Sequence, residues 1–82
     1  MRRGSLVHVL RFTDSVALAR AFEEIASHEF VEDCLIDLEA LRIRFVAASD
    51  PARALIERIY LDGGLAFSTR HRVRIRAIAR RR

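Results

Sequence analysis

The chain has 82 residues, 51% of them hydrophobic and 32% charged, which makes one small globular domain rather than a disordered or multi-domain protein. No apolar run nears the roughly 18 residues of a membrane span, so no membrane partner is expected. A lone cysteine, Cys34, excludes an internal disulfide and suits a reducing, cytoplasmic setting.

The charge is unevenly placed. Residues 1–69 hold eight arginines against eleven acids, a net of −3, while residues 70–82 hold seven arginines and no acid, a net of +7. All fifteen basic residues are arginine. The basic start, Met1-Arg2-Arg3, leads into an alternating stretch without a small-residue cleavage site, so it does not read as a signal peptide.

Residues 5–12 predict a first strand rich in β-branched and aromatic side chains. Leu6, His8, Leu10 and Phe12 share one face, read as inward; Val7, Val9 and Arg11 share the other. Thr13, Asp14 and Ser15 offer helix N-caps. A helix over 15–27 follows, with Leu18, Ala21, Phe22 and Ile25 as its sheet-facing stripe and Arg20, Glu23, Glu24 and Ser27 toward water. Near its end, a charged His28 would suit the negative pole of the helix.

Residues 33–46 fold on themselves at Glu39-Ala40. Leu38 then meets Leu41, Ile36 meets Ile43 and Cys34 meets Phe45 on a dry face. Asp37 meets Arg42, Leu35 meets Arg44 and Asp33 meets Val46 on a charged one. A one-residue slip would mix the two sets, so the pattern specifies the register.

Ser49-Asp50-Pro51 predicts a second helix, with Asp50 as cap and Pro51 in the first turn. Leu55, Ile56, Ile59 and Tyr60 form its buried stripe with Ala52, and Asp62-Gly63-Gly64 stops it. Residues 65–69 read as a connection with Phe67 over one end of the core. A last strand runs from Arg70 to Ala79, with Val73, Ile75 and Ala77 inward and Arg72, Arg74 and Arg76 outward.

Strand, helix, strand, strand, helix, strand is most simply an α+β domain: a four-stranded antiparallel sheet in the order 4-1-3-2 with two helices on one face. This βαββαβ order resembles the ferredoxin-like plait, a fold shared by RNA-recognition domains, small-molecule-sensing regulatory domains and dimerisation modules. Residues 1–79 form the single domain and Arg80, Arg81 and Arg82 a basic tail.

The uncovered sheet face would carry Val7, Val9, Arg11, Asp33, Leu35, Asp37, Arg42, Arg44, Val46, Arg72, Arg74 and Arg76. That is an apolar patch in an arginine field with an acidic edge. Such patches mark protein contacts, and an acidic edge facing an arginine edge across a two-fold axis suits self-association. The leading expectation is therefore a non-enzymatic interaction or regulatory module, a homo-oligomer or the partner of another protein. The alternative is a nucleic-acid-binding domain that uses Arg70, Arg72, Arg74, Arg76, Arg80, Arg81 and Arg82 for non-specific phosphate contacts. Against it, the open-face positions where RNA-recognition domains stack bases hold Val7, Val9, Arg42 and Arg44. No cofactor or metal is expected. His8, His28 and His71 lack ligand spacing, Gly63-Gly64 lacks the lysine of a phosphate loop, and Cys34 reads as an inert thiol. The chain has no asparagine, which argues against acylphosphatase-like chemistry.

Overall fold

In the computed structural model, which describes residues 4–72, six elements follow one another: β1 (Ser5–Phe12), α1 (Ser15–Ala26), β2 (Asp33–Asp37), β3 (Arg42–Ala48), α2 (Ser49–Asp62) and β4 (Leu65–Arg72). The four strands form one antiparallel sheet in the order β2-β3-β1-β4. Leu10, Phe12, Ile43, Phe45 and Ala47 of the sheet join Ala17, Leu18, Ala21 and Ile25 of α1 and Ala52, Leu55 and Ile59 of α2 in a single core. Both helices therefore lie on one side of the sheet, and Arg58 ties them together through Glu24 (Nη2 to Oε2, 2.9 Å). Glu24, expected to point to water, is half-buried by this bond and by His28 at 3.6 Å.

Helix α1 begins as the sequence implies. Asp14 is extended, and its Oδ1 accepts from the Ala17 N–H at 2.8 Å, satisfying one of the unpaired donors of the first turn. Helix α2 begins earlier than expected. Its N-cap is Ala48, without a side-chain cap bond, and Asp50 sits within the first turn. Pro51 still occupies a position whose N–H would lack a helical partner, so the helix tolerates it there. Tyr60 is 65% exposed rather than part of the buried stripe. Leu55 and Ile59, four residues apart, fill the narrow contact line, and Tyr60 falls beside it.

The hairpin register matches the paired pattern from Asp33↔Val46 to Asp37↔Arg42. The connection, however, takes four residues, Leu38 to Leu41, with Leu41 at φ 54°. Asp37 Oδ1 accepts from both Glu39 N and Ala40 N at 3.1 Å, holding the turn in place of a Leu38–Leu41 strand pair. Leu38 is thus 67% exposed, and Ile36 is 36% exposed, because β2 is an edge strand.

The largest departure is β4. It starts at Leu65, directly after the two glycines, instead of at Arg70. Gly63 (φ 95°) and Gly64 (φ 89°) turn the chain so tightly that no connection is needed. A Cβ on Gly64 would overlap the Ala17 Cβ, so α1 packs against a bare backbone there. Thr13 N donates to Gly64 O at 2.8 Å and closes that end of the sheet.

Candidate functional site

The face opposite the helices is built by alternation along four strands. Cross-strand register sets Val7 beside Val46, Val9 beside Arg44 and Arg11 beside Arg42, and continues on β2 with Asp33, Leu35 and Asp37. Its apolar part is Val7, Val9, Leu35 and Val46, with Leu35 half exposed. Val46 is 8% exposed. The Ser5 hydroxyl on β1 donates to the Glu32 carboxylate just before β2, a bond that spans β3 beside Val46 and closes that end of the face. Val46 therefore supports the patch from below rather than forming its surface.

The charges around the patch are not equivalent. Arg42 Nη2 donates to Asp37 Oδ2 at 3.1 Å, so this pair is internally satisfied. The Asp37 carboxyl is held below the usual carboxylate range, first by the Ala40 backbone N–H; desolvation opposes this, and the Arg42 charge, the Glu39 N–H and the Arg42 hydrogen bond lower it further. Arg44 and Asp33, on neighbouring strands of the same face, make no ion pair among the described residues. Beside them, Leu35, Ile36, Asp37, Arg42 and Arg44 line a depression of about 290 Å³.

Of the expected arginine edge, the structure describes only the backbone at Arg70 and Arg72. β4 begins five residues early, and its register pairs Arg72 with Leu6 and Arg70 with His8. On the open side of β4, Thr69 lies opposite Val9. Thr69, exposed next to Val9, was hidden from sequence reasoning because it read as part of a connection. Arg74, Arg76, Arg80, Arg81 and Arg82 lie outside the described residues, as do Val73, Ile75 and Ala77.

The other candidate side chains have structural partners. His8 is 2% exposed, its ring stacks on Phe45 at 5.0 Å, and its Nε2 lies 3.1 Å from the Ala47 carbonyl oxygen. A carbonyl can only accept, so that nitrogen carries the proton. The thiol of half-buried Cys34 is pushed up by burial and then by the Asp33 charge, which disfavours the reactive thiolate. Among the described residues no three His, Cys, Asp or Glu side chains cluster as metal ligands, and no helix is long and apolar enough to cross a membrane.

No family model, curated protein or solved structure matches the chain.

Proposed function

We propose that this chain is a small non-enzymatic interaction module that pairs with a second copy of itself through the open face of its sheet. The supporting observation is the combination of Val7, Val9 and Leu35 with two opposite charges, Arg44 and Asp33, that make no ion pair among the described residues. A two-fold axis brings the same patch of two copies together, so Arg44 of one copy meets Asp33 of the other while the apolar side chains leave water. The four-strand order, read from β4, is 4-1-3-2, and with both helices on one side we take the domain as a ferredoxin-like plait. In that architecture the second sheet face is the broad surface left to a partner.

The test is sedimentation equilibrium of the wild type and of Val9→Glu over a range of concentrations. The wild type is expected to reach twice the chain mass. Val9→Glu, which puts a charge at the centre of the patch without touching the core, should stay at the single-chain mass. A dimer that persists in Val9→Glu would place the interface elsewhere. A monomeric wild type whose mass rises only when RNA is added would replace this reading with the nucleic-acid one.

A further inference from the structure

The helices pack chiefly on β1, β2 and β3, and β4 is the edge strand of the sheet next to β1. This leaves a groove between α2 and β4, remote from the open face. It has two parts that share Arg53, Ile56 and Ser68 as walls, one of about 320 Å³ and one of about 410 Å³. Both lie in the size range of small-ligand sites, which are mostly apolar with a few converging polar groups. We infer that this groove binds a small amphipathic anion, a carboxylate carrying an apolar chain or ring.

The two ends of the groove differ in chemistry, and the difference orients the ligand. At one end lie Ser49, the first residue of α2, Ser68 of β4, and Arg53 one turn into the helix. Arg53 is exposed and makes no ion pair among the described residues. Among the described residues none that lines this end is acidic. A carboxylate there takes a charge-assisted bond from Arg53 and lies near the start of α2, whose aligned peptide dipoles favour negative charge. His8 closes the floor; it is already stacked on Phe45 and bonded to Ala47, so it serves as wall and not as a reacting group.

The other end is lined by Ile56, Tyr60, Leu65 and Ala66. Glu57 also lies there, four residues after Arg53, and would repel an anion. The charged head must therefore sit at the Ser49 end and the apolar body along Tyr60 and Leu65. Tyr60, a large ring that the core leaves 65% exposed, gains a covering surface from such a ligand. A neutral molecule would forgo the Arg53 bond, and a bare inorganic anion would forgo the apolar contact. Only a molecule with both parts uses the whole groove.

The experiment is a titration of the 15N-labelled full chain with octanoate, with octanol (same chain, no charge) and phosphate (charge, no chain) in parallel. Octanoate should give saturable shifts centred on Ser49, Arg53, Ile56, Tyr60 and Ser68, and both comparison molecules should bind at least about tenfold more weakly. Arg53→Gln, at an exposed position, should keep the folded spectrum and weaken octanoate about tenfold or more, the usual effect of losing one charged hydrogen bond. It should leave octanol unchanged. Arg58→Gln, whose guanidinium is engaged with Glu24, should leave octanoate affinity unaltered. Phosphate binding as tightly as octanoate, octanoate shifts elsewhere or without saturation, or an Arg53→Gln titration equal to wild type would each overturn the inference. Because the groove lies on the helix side, failure here leaves the open-face proposal standing, and the reverse also holds.

Discussion

Asp37 is the most heavily used side chain of the hairpin. One carboxylate oxygen accepts two turn N–H groups and the other accepts from Arg42. Because these bonds favour the charged form, the folded carboxyl titrates below the unfolded one. A group with a depressed folded pKa stabilises fully above its unfolded pKa and loses that contribution as pH falls through the folded value. Thermal melts of wild type and Asp37→Asn should therefore be separated at pH 7, with the wild type more stable. The gap should shrink as pH drops through and below the ordinary aspartate range, and it should narrow in high salt. A gap that stays constant from pH 7 to pH 2 would show that the charge contributes nothing. The Asp37–Arg42 pair was legible in the sequence because strand alternation puts opposite charges in register. The turn bonds were not, since they depend on a four-residue loop with Leu41 at positive φ, where the two-residue fold at Glu39-Ala40 placed a strand pair.

At the scale of elements, the hairpin and the glycine turn make distinct predictions. Ile43 is fully buried, whereas its cross-strand partner Ile36 is 36% exposed at the sheet edge. Ile43→Ala should cost about 2–5 kcal/mol, as truncations in packed cores do, and Ile36→Ala about 1 kcal/mol, measured by urea denaturation. Equal losses would mean that β2 is covered in solution by something the single chain lacks. Gly63 and Gly64 both sit at positive φ, but only at Gly64 does a neighbour, Ala17, occupy the place of a side chain. Both alanine variants carry backbone strain of about 1–3 kcal/mol, and Gly64→Ala adds the overlap with α1. It should unfold at clearly lower urea than Gly63→Ala; coincident curves would refute the close approach.

This turn is also where sequence reasoning failed. The alternation Arg72-Val73-Arg74-Ile75-Arg76 signalled a strand strongly, while Leu65-Ala66-Phe67-Ser68-Thr69 lacked a clear polar face and read as loop. Pairing with β1 sets the strand start, and β1 offers partners from Phe12 back to Leu6 for Leu65 to Arg72. Tertiary pairing overrode local pattern.

For the whole molecule, element order, antiparallel pairing and a one-sided helix layer were legible, because three of the four strands and both helices carry clear periodicity. The charge distribution on the surface was legible only in part. Val7, Val9, Leu35 and the arginines of β1 and β3 lie where alternation puts them. Val46 is shielded beside the Ser5–Glu32 bond, a contact between residues 27 positions apart that no local pattern encodes. The groove beside β4 was invisible for the same reason β4 was misplaced.

The claim that two copies meet through the open face is tested most directly by isotope-filtered NOE spectroscopy on a mixture of labelled and unlabelled chains. Contacts between copies are expected among the methyl groups of Val7, Val9 and Leu35, disappearing in Val9→Glu. Contacts between copies that arise instead from Val16, Tyr60 or Leu61, the exposed apolar residues of the helices, would contradict it.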